Sequence, residues 1–279
     1  MDTFQYFRYA KVTDHVTRIY GPTNELMYIV EGTERAVLID TGCGVGDLRA
    51  LVERLTSKPY FVILTHGHVD HAMGAADFDE VYMSPLDKEV FKRHSELSIR
   101  QQYLQLMMGD SFAHIQERDY VQPCSFERLK PLAPGDVFDL GGIRLEVCIG
   151  AGHTPGMVTI LFVEERTLLL GDACNTFTFL FDEFTLGVTS YLSVLRKLDA
   201  ATRGRYDRVY LSHGDEAYSI DMLPSVIEVC EDILAGRADD VPHSFFHYKL
   251  HIAKARNDQG QRLDGGLGNV AYNKERTLL

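Results

Sequence analysis

No CxxC pair occurs in this chain. Its five cysteines, Cys43, Cys124, Cys148, Cys174 and Cys230, are scattered and odd in number. That pattern argues against a disulfide framework and against a thiolate zinc site, and it makes a reducing cytoplasm the expected setting. Also missing is any run of about eighteen apolar residues, so no membrane span is expected. The opening residues Met1 to Arg8 lack the basic stretch, apolar stretch and small-residue cleavage site of a secretory signal. Basic residues are in short supply: 28 Lys and Arg stand against 40 Asp and Glu, a net charge of −12. Nucleic acid and anionic lipid attract clustered cations, so neither is expected as a partner, whereas a small molecule is.

What is present is ordinary globular composition, 45% hydrophobic and 24% charged, enough to bury a core. Val16 to Tyr20, Leu26 to Val30 and Ala36 to Ile39 are short aliphatic runs separated by turn residues and read as a meander. Leu48, Leu51, Val52 and Leu55 fall at helical spacing, and the near-continuous apolar run Tyr60 to Leu64 reads as a strand buried on both faces. Residues 84 to about 117 read as helical. Strands are then expected at Val137 to Leu140, Arg144 to Ile149, Val158 to Val163, Thr167 to Leu170 and Arg208 to Leu211. Helices are expected over Tyr191 to Leu198 and Asp221 to Leu234. The order sheet, helix, sheet, helix predicts an α/β protein with two sheets packed face to face and helices outside. No linker-like shift in composition interrupts it, so residues 1–279 read as one domain. Within it, 84–130 forms a helical insertion or lid and 236–279 a less regular C-terminal extension. The glycine-rich stretch Asp264 to Asn269 lacks the strand-before, helix-after context of a phosphate loop and reads as a turn.

The chemistry concentrates in Thr65-His66-Gly67-His68-Val69-Asp70-His71, directly after the buried strand. His66 and His68, two apart, face one way in an extended stretch. Asp70 and His71 come as the chain turns toward a helix at Ala72 to Ala76 and converge from the other side. Imidazole and carboxylate suit zinc, with bonds of about 2.0–2.2 Å. Two histidines at this spacing would be unremarkable; three with an aspartate inside six residues point to a metal. His153 in Gly-His-Thr-Pro-Gly, Asp172 in Leu-Gly-Asp and His213 in Ser-His-Gly-Asp each lie at a strand terminus beside glycine, where ligand-bearing loops gather. Taken singly, each reads as a cap or turn residue.

With these motifs together, THGHVDH (65–71), GHTPG (152–156), GDA (171–173) and SHGD (212–215), preceded by Asp40-Thr41-Gly42, the sequence resembles the metallo-β-lactamase-fold hydrolase superfamily. The resemblance implies a four-layer αββα sandwich and two divalent ions, zinc first, with manganese or iron(II) as alternatives. It assigns His66, His68 and His153 to one ion, Asp70, His71 and His213 to the other, and Asp172 as a bridge. Asp40 would orient a ligand imidazole; its alternative is a cap before Gly42. Ions about 3.5–4 Å apart would hold a hydroxide that attacks a carbonyl or phosphoryl centre, with Asp70 also shuttling a proton.

Within that superfamily the expected reaction is hydrolysis of a small ester, lactone or thioester. The alternatives are a phosphodiesterase on the same metals and a mononuclear-iron persulfide dioxygenase. Exported zinc β-lactamases lack the bridging aspartate, and flavodiiron proteins have Glu where this chain has His68. Quorum-quenching lactonases typically carry Tyr where this chain has Asn175, although Asn175 would still hydrogen-bond a substrate oxygen. Asp215-Glu216 faintly echoes glyoxalase II without its basic helices, and the acidic balance argues against tRNA processing. Tyr103 and Met107 are candidate substrate contacts from a lid, with Met108, Phe112 and Tyr120 beside them; the competing reading is ordinary helix packing. His243, His247 and His251 recur every four residues and would share a helical face, solvated or at a homodimer contact. His15, His94 and His114 have no motif around them.

Overall fold

Strands buried on both faces organise the first part of the chain. In the computed structural model, which describes residues 1–214, 218–246 and 248–278, internal contacts divide the protein into two compact units. One is Met1–Glu146 with Ser212–Gly214; the other is Val147–Leu211 with the described residues after Gly214.

The first unit holds an eight-stranded sheet in sequence order. It comprises β1 (Asp2–Phe4), β2 (Phe7–Lys11), β3 (Val16–Tyr20), β4 (Leu26–Glu31), β5 (Ala36–Ile39), β6 (Tyr60–Ile63), β7 (Val81–Met83) and β8 (Lys130–Pro131). The first five are an antiparallel meander; β5 to β8 are parallel. The change of direction follows from the connections. Short turns join β1 to β5, whereas β5 reaches β6 through α1 (Leu48–Leu55), the crossover that a parallel pair requires. Asp47 caps α1 by accepting the Ala50 N–H at 2.9 Å, and Leu48, Leu51 and Val52 turn inward. They join a core of Ile19, Met27, Leu38, Val62 and Leu64. Beyond β6 lie α2 (Val69–Ala72), α3 (Lys88–His94) and α4 (Leu97–Met108), the last two within the stretch expected to be helical. β9 (Val137–Asp139) pairs with the first half of β10 (Arg144–Ile149).

In the second unit, β10 continues into a sheet with β11 (Val158–Phe162), β12 (Thr167–Leu169) and β14 (Arg208–Tyr210), in the order β14-β12-β11-β10. A third sheet runs β13-β17-β16-β15, with β13 (Thr178–Leu180), β15 (Val241–Phe245), β16 (Tyr248–Ile252) and β17 (Val270–Tyr272). Helices α5 (Val188–Thr202) and α6 (Met222–Leu234) bury Tyr191, Leu195, Leu198, Met222, Val226 and Val229 in a core with Leu161, Leu168 and Val209.

Three departures from expectation stand out. Among the described residues a third, smaller sheet accompanies the two expected. The C-terminal stretch supplies three strands where irregular chain was expected, and its histidines are not helical: His243 lies on β15 and His251 on β16 of one hairpin. A period of four is also a period of two, so an alternating strand carries the same spacing. His247, Asp215 and Glu216 lie outside the described residues. No helix among the described residues is long and apolar enough to cross a membrane.

Candidate metal centre

Parallel pairing of β5 with β6 brings Asp40, one residue past β5, beside Thr65, two residues past β6. Asp40 adopts a left-handed conformation (φ 63°) that a non-glycine residue rarely holds. Its carboxylate explains why it persists there. Oδ1 accepts the Thr65 N–H at 2.7 Å, the Thr65 hydroxyl lies 2.8 Å from Oδ2, and His71 Nδ1 donates to Oδ2 at 2.9 Å. The last bond fixes the His71 tautomer, so that Nε2 is the nitrogen that could hold a metal ion.

Asp70 and His71 sit inside α2, the helical turn starting at Val69 rather than at Ala72. Two features hold the loop before it. Gly67 donates its N–H to Asp87 Oδ2 at 2.8 Å, and a Cβ on Gly67 would lie 2.8 Å from the Phe91 backbone nitrogen, so only glycine fits. The His66 ring lies 4.8 Å from that of His68 and 4.1 Å from that of His71, and Thr65 Oγ1 lies 3.0 Å from His66 Nδ1. The fifth ligand candidate of this unit, His213, arrives from far along the chain. Leu26 donates to the Ser212 carbonyl at 2.8 Å, and Glu25 bridges His213 in antiparallel register.

One Asp70 oxygen, Oδ2, stands 3.6 Å from His71 Nε2 and 3.5 Å from His213 Nε2. Ligands about 2.0–2.2 Å from a common tetrahedral ion are about 3.4 Å apart. The spacing and the nitrogen and oxygen donors therefore fit a zinc-like divalent ion. His66 and His68 add two more buried imidazoles.

In the second unit the turn carrying His153 is shaped by Gly152: a Cβ there would meet the Tyr191 ring at 2.2 Å. His153 Nδ1 donates to the Phe179 carbonyl at 2.9 Å, which directs Nε2 to a point 3.9 Å from Asp172 Oδ2. Asn175 accepts the Phe177 N–H through its oxygen at 2.7 Å, and its Nδ2 donates to Asp172 Oδ1 at 3.2 Å. This buried amide therefore orients Asp172.

From α4 the Tyr103 hydroxyl donates to Asp70 Oδ2 at 2.6 Å. Burial, with the Asp70 charge adding to it, pushes the phenol well above its usual range, so the hydroxyl keeps its proton. Tyr103→Phe removes one hydrogen bond worth roughly 0.5–1.5 kcal/mol. Metal affinity, read by chelator competition, should fall by about two- to tenfold with the fold retained. Met107 is 46% exposed and has no part in this cluster.

Three contributors had gone unassigned. The His94 ring stacks on that of His68 at 4.6 Å, and its Nδ1 accepts the Val69 N–H at 3.2 Å. Glu25, fully buried, accepts the Thr23 N–H at 2.8 Å and hydroxyl at 2.6 Å; burial raises its carboxyl pKa, and the Asp70 charge adds to the shift. The Phe179 carbonyl orients His153.

Comparison with known proteins gives the family. Residues 20–213, well over half of the chain, match the family model of the metallo-beta-lactamase superfamily. An uncharacterized protein of Mycobacterium tuberculosis is 32% identical over 133 residues, 46% of this chain and 54% of its own length. The chain thus spans about half the length of the mycobacterial relatives it matches. The acyl-coenzyme A thioesterase MBLAC2 of Homo sapiens is 24% identical over 204 residues, covering 62% of this chain and 68% of the thioesterase. Among solved structures, a metallo-beta-lactamase from Pontibacter korlensis superposes with a TM-score of 0.57 at 20% identity, over 81% of this chain and 99% of that one. One from Erythrobacter litoralis gives 0.58 at 15% identity, over 83% and 99%. Matching model, shared fold and a histidine–aspartate donor set agree, and the chain belongs to the metallo-beta-lactamase superfamily, with its α/β fold.

Proposed function

We propose that this chain is a binuclear metal-dependent hydrolase of a small ester, lactone or thioester. The proposed ligands are His66, His68, Asp70, His71 and His213 of the first unit and His153 and Asp172 of the second. The observation that carries the reading is the single Asp70 oxygen held 3.5–3.6 Å from two imidazole nitrogens, one of them oriented by Asp40. Burying charge and imidazole in this way costs stability unless a cation compensates, so folding alone does not account for it.

When bound, such ions supply an activated water at neutral pH and polarise the substrate's oxygen. The residues of the chain do the rest. Asp40 holds His71 in one tautomer, and Asn175 and the Phe179 carbonyl fix Asp172 and His153. Tyr103, donating to Asp70 Oδ2, leaves the other oxygen of that carboxylate to accept a proton from the attacking water and pass it to the leaving group. A thioester is favoured among the three bonds by the relationship to an acyl-coenzyme A thioesterase.

The test is metal analysis together with a substrate panel of lactone, thioester and bis-aryl phosphodiester, each assayed before and after chelation. Two zinc or manganese ions per chain with chelator-sensitive thioester or lactone cleavage is the expected result. A single iron with oxygen consumption, or cleavage confined to the phosphodiester, would remove this reading.

A further inference from the structure

Phe177, Phe179 and Phe181 alternate along and beyond β13, so they line one face while Thr178 and Leu180 are buried on the other. The β15–β16 hairpin brings more rings to them. Phe245, paired with Tyr248 across the hairpin, has its ring 4.7 Å from Phe179 and 5.7 Å from Phe181; Tyr248 lies 4.9 Å from Phe181. Most of these contacts are edge-to-face, and the rings are only partly buried. At the hairpin tip Phe246 is 52% exposed and is held at φ 50°, a conformation that a bulky residue avoids. A tight turn would be better served by Asn or Gly, so this ring is kept at the tip at a conformational cost.

Two further observations say what the wall would receive. It begins at the metal-ligating histidine, because the carbonyl that orients His153 belongs to Phe179. A molecule whose reactive bond lies at His153 therefore has aromatic surface beside it for an apolar substituent. At the other edge the Arg256 guanidinium stacks on Phe177 at 4.0 Å, with His243 also against that ring at 5.5 Å. Among the described residues no carboxylate forms an ion pair with Arg256, and burial alone lowers its pKa. In a chain of net charge −12, a cation that sits on an aromatic ring and pairs with no carboxylate among the described residues is suited to receive an anion.

We infer that the aromatic wall of β13 and the β15–β16 hairpin, with Arg256 at its edge, binds an acyl or aryl group of a substrate that also carries a negative charge. This deepens the proposed function and rests on it for the role of His153. The wall itself is testable without hydrolysis. The probe is octanesulfonate, whose sulfonate is a weak zinc ligand, compared by calorimetry with methanesulfonate and with neutral octanol on the metal-loaded protein. Octanesulfonate should bind at least tenfold more tightly than methanesulfonate. Phe246→Gly, which relieves the strained backbone while removing the ring, should weaken it about threefold or more. Arg256→Gln should weaken it at least fivefold and leave octanol unchanged. Metal content, measured on every variant, should stay at the wild-type value; a protein that binds no metal yet retains this pattern would sink the proposed hydrolase and spare the wall. Equal binding of the two sulfonates, or variants that bind octanesulfonate as the wild type does, would overturn the inference. So would variants that leave probe binding intact but convert a dimer to a monomer in sedimentation, since the wall would then be a contact between two copies.

Discussion

His71→Ala should empty the Asp70, His71, His213 cluster of its ion and lower turnover by at least about a hundred- to a thousandfold, the range for losing a group that stabilises developing charge. The side chain is wholly buried, donates from Nδ1 to Asp40 at 2.9 Å, and presents Nε2 3.6 Å from Asp70 Oδ2. Removing it deletes one donor and leaves two carboxylates facing each other across the gap. A sharper form of the test leaves every donor in place. In Asp40→Asn the side-chain oxygen must keep accepting the Thr65 N–H, now 2.7 Å from Oδ1, which puts the amide nitrogen where Oδ2 faced His71. An amide donor there forces Nδ1 to accept, so the ring proton moves to Nε2 and blocks it as a ligand. Affinity should fall by about ten- to a hundredfold, the usual consequence of losing a residue that orients a ligand. Metal content by mass spectrometry and affinity by chelator competition check both variants. A His71→Ala protein with wild-type metal and turnover would remove His71 from the site.

The contrast between Asp40 and the residues around it shows what a sequence reveals. THGHVDH is contiguous, and its strand, β6, is marked by an apolar run, so both the candidate donors and their place at a strand end could be read directly. Asp40 was reachable because β5 is equally apolar and ends one residue before it. His94 stacks on His68 across 26 positions, and Glu25 meets His213 across 188; such partners depend on tertiary packing, which leaves no local pattern. The Phe179 carbonyl that orients His153 is invisible for a simpler reason, since every residue has a carbonyl. The strands that escaped notice are also instructive. β1 and β2 are exposed or half-buried along most of their length, and β15 reads Val-Pro-His-Ser-Phe, so neither shows the aliphatic run that marked β4 to β6. At Asn175 resemblance to lactonases suggested a substrate hydrogen bond, whereas the bonds from Phe177 N–H and to Asp172 Oδ1 leave no mark in the sequence.

Arg100→Ala should destabilise the protein by about 3–5 kcal/mol, the cost of breaking a buried charged hydrogen-bond network by removing one partner. Only Arg100 and Leu104 of the twelve residues of α4 are fully buried, with half-buried Tyr103 and Met108 packed beside them. Arg100, 1% exposed, donates to the carbonyls of Val121 at 2.7 Å, Gly44 at 2.5 Å and Cys43 at 3.3 Å, and its guanidinium lies 5.3 Å from the centre of the Tyr120 ring. Alanine leaves three carbonyls without that donor as well as a cavity. Since a domain is typically stable by only about 5–15 kcal/mol, a loss of this size should be plain as a lowered urea midpoint. Arg100→Lys tests the geometry rather than the charge. A single ammonium cannot match a planar fork serving three carbonyls, so lysine should recover less than half of the loss. The same helix carries Tyr103, whose hydroxyl holds Asp70, so loosening α4 should also weaken metal binding beyond the effect of Tyr103→Phe alone. An Arg100→Ala protein within about 1 kcal/mol of wild type would mean that water replaces the guanidinium, and that α4 is not anchored through it.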